Sequence, residues 1–101
     1  MIKRDSTLER LLFPKAFRLR TDLLGLIERA REFGLPDVDA SNARLFLGED
    51  EFAEAMDVVL AQLHEFEIAV DQALIDDAKQ IAAQMEMDWA EYAFVETLVK
   101  R

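Results

Sequence analysis

The sequence predicts an all-α fold: one small domain covering residues 1–101, an orthogonal bundle of about five helices. Three observations carry that reading. Only three Gly and two Pro interrupt the 101 residues. The apolar positions recur at three- and four-residue steps rather than alternating. Hydrophobic residues make up 51% of the chain, enough to build a core without cross-links. There is no cysteine, so disulfides, thiolate zinc sites and a cysteine nucleophile are excluded and packing must supply the stability.

Each element follows from local pattern. Pro14 suits the first turn of a helix, and Ala16, Leu19, Leu23, Ile27 and Ala30 then repeat at helical steps until Gly34 and Pro36, so this helix ends near Phe33. In DVDASNARLFLG, Asp39 or Ser41 can cap one or two turns of a connector helix that buries Leu45 and Phe46 before Gly48. From about Asp50 to Phe66, the residues Phe52, Met56, Val59, Leu60 and Leu63 share one face and Asp50, Glu54, Asp57 and Glu65 the other, the clearest amphipathic helix in the chain. Its leading acids, Glu49, Asp50 and Glu51, suit a helix N-terminus. After a break at EIAVD, Asp71 caps a helix whose buried stripe is Leu74, Ala78, Ile81, Ala82 and Met85, and Asp76 points away from it. Asp88 and Glu91 have capping-box-like spacing, and Trp89, Tyr92, Val95 and Val99 predict a terminal helix of about three turns.

Charge is distributed unevenly. Residues 1–44 hold nine Lys or Arg and seven Asp or Glu, net +2, whereas residues 45–101 hold three and fourteen, net −11. Ten acids and no cation occur from Gly48 to Asp77, which is more one-sided than solubility requires. Such a surface repels phosphate backbones, so direct nucleic-acid binding is not expected, and it attracts a basic protein partner. The candidate partner-binding residues are Glu49, Asp50, Glu54, Asp57, Glu65, Glu67, Asp71 and Asp76; the aromatics Phe52, Phe66, Trp89 and Tyr92 belong mainly to the inward stripes, Phe66 and Tyr92, near helix ends, being the two that could serve as exposed anchors. The first residues contain no apolar run of signal-peptide length and no stretch long enough to span a bilayer, so a cytoplasmic location with no membrane association is expected.

Catalytic patterns are missing. The hydroxyl nucleophiles Ser6, Ser41, Thr7, Thr21 and Thr97 have no convincing base. The single histidine, His64, falls at the flank of its helix beside Asp57, where its protonation would at most make an interface pH-dependent. Asp37, Asp39 and Ser41 imitate the opening of a calcium loop, but Asn42 and Gly48 stand where that loop needs glycine and a bidentate glutamate. The residue three before His64 is Ala61, so no Glu-x-x-His di-iron motif exists. No Gly-rich phosphate loop is present. The reading is a binding protein, not an enzyme, without metal or cofactor.

The string LFLGEDEFAEAMDVVLAQLHEFEIAV resembles the MafI family of immunity proteins, in which a Gly-Glu pair precedes a helix opening in Ala-Leu-Glu and ending in Gln-Leu-x-Glu-Tyr-Asp-Ile-Pro-Ile. Ala55, Met56, Asp57, Gln62, Leu63, Glu65, Phe66, Glu67 and Ile68 occupy corresponding positions. Ala82 and Met85 before Met87-Asp88 are similar to the family's closing segment. The resemblance covers about residues 23–88. Asp50 stands where the family has Gly, and Ala69 where it has Pro. The resemblance implies binding and neutralisation of a cognate toxin domain, often a nuclease, by occlusion of its basic cleft. The alternative with the same acidic face is a regulatory or DNA-mimic protein that binds a transcription factor.

Overall fold

The computed structural model describes residues 6–100. Among them the chain forms five α-helices followed by a short 3₁₀ tail: α1 (Ser6–Leu12), α2 (Pro14–Phe33), α3 (Asp37–Gly48), α4 (Phe52–Glu65) and α5 (Gln72–Gln84), then 3₁₀ segments at Trp89–Glu91 and Ala93–Leu98. The all-α bundle predicted from periodicity is what the described residues adopt. No helix among them is long and apolar enough to cross a membrane.

The long helix α2 is the central element, packing on α1, α3, α4 and α5, while α3 and α4 form the most extensive helix pair. The core comes from the inward stripes of these helices: Leu23, Leu26 and Ile27 of α2, Met56, Val59, Leu60 and Leu63 of α4, and Leu74, Ile75 and Ala78 of α5, all essentially inaccessible to solvent. Burial of these stripes is the main stabilising term, since each fully buried Leu, Ile, Val or Met side chain contributes about 1.5–3 kcal/mol.

Chain direction changes by one repeated device. At the ends of α2, α3, α4 and α5 a residue enters the left-handed region: Gly34 (φ 128°), Asp50 (φ 60°), Glu67 (φ 50°) and Glu86 (φ 57°). The amide of the next residue then reaches back five positions, as in Leu35 N to Ala30 O, Glu51 N to Phe46 O, Ile68 N to Leu63 O and Met87 N to Ala82 O, each at 2.9 Å. These are Schellman closures, which satisfy the last carbonyls of a helix. Leu35 is then buried and Ile68 and Met87 are half-buried against the core.

Several expectations are corrected. The connector helix is a full twelve residues, beginning at Asp37 behind Pro36, so Asp39 and Ser41 lie inside it rather than capping it. Asp37 and Asp39 occupy its first turn, where the helix dipole favours carboxylates. Asp39 is buried and accepts a hydrogen bond from Gln62 Nε2 of α4 at 3.0 Å. Phe46 is half-buried as expected, but Leu45 is 69% exposed.

The terminal segment is 3₁₀, not a three-turn α-helix. Its inward residues explain why: Tyr92, Val95 and Leu98 are buried and Trp89 is half-buried, a strict three-residue step that matches three residues per turn. Val99, expected to point inward, is instead half-buried and pairs through a parallel bridge with Val70. Lys100 N donates to Val70 O and Val70 N to Leu98 O, tying the tail to the segment between α4 and α5.

The α1 helix is an addition to the predicted elements. It stops because Phe13 precedes a proline, which disfavours helical backbone at that residue. Phe13 sits at φ −135°, ψ 65°, and Pro14 opens α2 at the position favoured for proline.

Candidate partner-binding surface

The ridge of α4 is built by an inward stripe that leaves the acids no other direction. Ala55, Met56, Val59, Leu60 and Leu63 are buried, so Glu54, Asp57, Ala61 and Glu65, spaced three and four residues apart, form the exposed face. Its ends are extended by Glu49 at the α3–α4 corner and by Phe66 and Glu67 at the α4 closure, all exposed. Phe66 is 53% exposed, as expected of an anchor. Phe94, 38% exposed, packs edge-on against His64 with ring centroids 4.9 Å apart and adds a second aromatic beside the ridge.

Tyr92 is not an exposed anchor. It is 4% exposed, and its Oη donates to Asp57 Oδ1 at 2.5 Å. Burial, followed by the hydrogen bond to Asp57 and the nearby carboxylates, pushes the phenol well above its ordinary value. Asp57 is therefore bound to Tyr92 rather than to His64, whose ring lies against Phe94, and the pH-responsive pair of His64 with Asp57 does not form.

The eight candidate acids divide by neighbourhood. Glu49, Glu54, Glu65 and Glu67 are exposed and make no ion pair among the described residues. Asp50 is paired with Arg20. Asp71 accepts the amide of Leu74 at 2.8 Å as the cap of α5, as its position predicted, and pairs with Arg29 at 3.3 Å. Asp76 accepts from Gln72 on its own helix at 3.0 Å. The α5 helix packs on α2 and on the first 3₁₀ turn, whereas α4 packs on α2, α3 and the second. Asp71 and Asp76 thus have different neighbours from the α4 acids.

Arg20 organises the corner beside the ridge. Its Nε donates to Glu9 Oε1 at 3.1 Å and Nη2 to Glu9 Oε2 at 3.3 Å, a bidentate grip on a 5% exposed carboxylate of α1. Nη1 donates to the carbonyl of Leu47 and Nη2 to Asp50. The guanidinium also lies 5.2 Å from the ring centre of Phe52. One side chain therefore joins α1, α2, the end of α3 and the start of α4. The sequence reading includes Arg20 only among the nine cations of residues 1–44. A residue-level signal was available in its place on α2, one after the buried Leu19, where a long cation reaches along the body.

Four other cations neutralise acids away from α4. Arg29 binds Asp71 and Asp77, Arg31 binds Glu28 and Asp37, Arg44 binds Glu28, and Lys79 binds Glu96. Arg44, by hydrogen bond and charge, holds the Glu28 carboxyl below the ordinary carboxylate value. Asp37 and Asp39, the imitation of a calcium loop, are on a regular helix with Asp39 turned to Gln62. No family model, no curated protein and no solved structure matches the chain.

Proposed function

We propose that this chain is an immunity protein of MafI type, which binds a cognate toxin domain and occludes its basic active-site cleft with the α4 ridge. The observation that carries the reading is the unneutralised row of Glu54 and Glu65 on α4, extended by Glu49 and Glu67. The helix is seated by five buried residues, so the backbone positions that carry Glu54 and Glu65 are fixed before binding. A nuclease cleft is shaped and charged for phosphates, and carboxylates at helical spacing offer charge-assisted acceptors to its Arg and Lys side chains. Phe66 and Phe94 add exposed apolar area beside the ridge. Inhibition in this account is exclusion of substrate, with no chemistry by the chain itself. A cytoplasmic site of action belongs to the same proposal.

Co-expression with the toxin domain encoded by the neighbouring gene tests it. Survival of the cells with a co-purifying complex supports neutralisation by direct binding. Cell death without a complex refutes it and favours a regulatory protein that binds a transcription factor.

A further inference from the structure

Four large apolar side chains left exposed by the fold lie within six consecutive residues: Leu8 (53%), Leu11 (71%), Leu12 (60%) and Phe13 (63%). Leu8, Leu11 and Leu12 share one face of α1 by their spacing, while Glu9 is turned into the body toward Arg20. Contiguous exposed apolar surface of this kind marks an interaction site more often than scattered single residues do. Three cations flank it. Arg10, Lys15 and Arg18 are exposed and have no carboxylate partner among the described residues, although Arg20, Arg29, Arg31, Arg44 and Lys79 are all in ion pairs. Lys15 and Arg18 also line a groove of about 450 Å³ with Ala16, Leu19, Phe52 and Gln84, so the basic and apolar character continues past the elbow.

A surface that is apolar at its centre and basic at its edge is complemented by one that is apolar and acidic. The same chain carries that complement: the α4 ridge, with Glu54 and Glu65 beside exposed Phe66 and Phe94. Within one molecule the two do not meet, because α1 packs on α2 and is fastened there through Glu9 and Arg20. Stacking two α1 stripes alone would place Arg10, Lys15 and Arg18 near their own copies, an unfavourable arrangement of like charge.

We propose that the α1 elbow of one molecule docks on the α4 ridge of a second copy, and that two copies exchanging this contact form a closed two-fold dimer. Each contact is then made twice, and closure prevents growth into a filament. The dimer is tested on the chain alone, but it shares the α4 ridge with the proposed toxin contact, so a toxin domain would have to displace the second copy.

Sedimentation equilibrium of the purified full chain, from low to high micromolar concentration, tests it. The expected result is a concentration-dependent dimer at low salt that weakens as salt screens the charges. Leu11→Ser with Leu12→Ser, a pair of exposed positions, leaves the circular dichroism unchanged and weakens the dimer about tenfold or more. Glu54→Lys with Glu65→Lys and, separately, Arg10→Glu with Lys15→Glu and Arg18→Glu each give monomers. An equimolar mixture of these two charge-reversed chains regains a dimer, because both contacts are again complementary. A wild-type monomer at every concentration in low salt overturns the proposal, as does a dimer indifferent to both reversals. A monomer that binds phosphatidylserine vesicles through Leu11 and Leu12 overturns it in favour of a membrane surface.

Discussion

Tyr92 donates its phenolic hydrogen to Asp57 at 2.5 Å, fastening the 3₁₀ tail to the outer face of α4. Asp57, on the acidic ridge, is therefore a structural carboxylate. Tyr92→Phe removes a hydrogen bond to a charged group and is expected to cost about 1.5–3 kcal/mol. Urea unfolding followed by circular dichroism measures this loss, and partner binding through Glu54 and Glu65 should survive it.

The same bond gives a pH dependence with a definite sign. The folded phenol titrates above the unfolded value of 10.0, so the folded chain holds its proton where the unfolded chain releases it. The contribution is whole below pH 10 and declines as pH rises through that value toward the folded pKa. Tyr92 is the only tyrosine, so an absorbance titration of phenolate formation follows it directly. Phenolate appearing with the ordinary midpoint while the chain is still folded would contradict the buried bond.

Arg20 serves four groups with one fork, which a lysine cannot reproduce. Arg20→Ala removes the bidentate hydrogen bonds to Glu9 and the donor to the Leu47 carbonyl. A loss of about 1.5–3 kcal/mol is expected, as for hydrogen bonds to charged groups. Arg20→Lys should recover only a minority of that loss, which thermal unfolding of the two variants side by side resolves.

Two backbone positions should be improvable. Gly25 lies in the middle of α2, exposed, and a Cβ there meets nothing within 4 Å. Gly25→Ala is expected to stabilise by about 0.8–1 kcal/mol through helix propensity. Glu86 holds a left-handed conformation at the end of α5, where glycine avoids the Cβ clash, so Glu86→Gly should stabilise by about 0.5–1 kcal/mol. Denaturant midpoints of both variants, with unchanged slopes, provide the check.

The helices were legible where one stripe decides the structure. In α2, α4 and α5 the predicted inward residues Leu23, Leu60 and Ala78 are buried, and the cap at Asp71 is formed. The errors came where another signal competed. The polar opening of α3 read as caps for a short turn, but packing on α4, which draws Asp39 to Gln62, extends the helix. The step of three from Trp89 through Tyr92 and Val95 to Leu98 fits 3₁₀, whereas the step of four from Val95 to Val99 fits α, and the first is what forms. Within the acidic surface, residue type alone could not separate acids already engaged, Asp50 with Arg20 and Asp71 with Arg29, from the unpaired Glu54 and Glu65. That division depends on where α2 carries its arginines, a long-range relationship that local spacing does not encode.

The most direct test of the central claim is titration calorimetry of the neighbouring gene's toxin domain with the wild-type chain, with Glu54→Lys plus Glu65→Lys, and with Asp76→Lys. The account predicts tight binding by the wild type, retained by Asp76→Lys and weakened about a hundredfold or more, roughly 2.7 kcal/mol, by reversal of the α4 pair. Equal affinity for the wild type and the α4 double variant would contradict it.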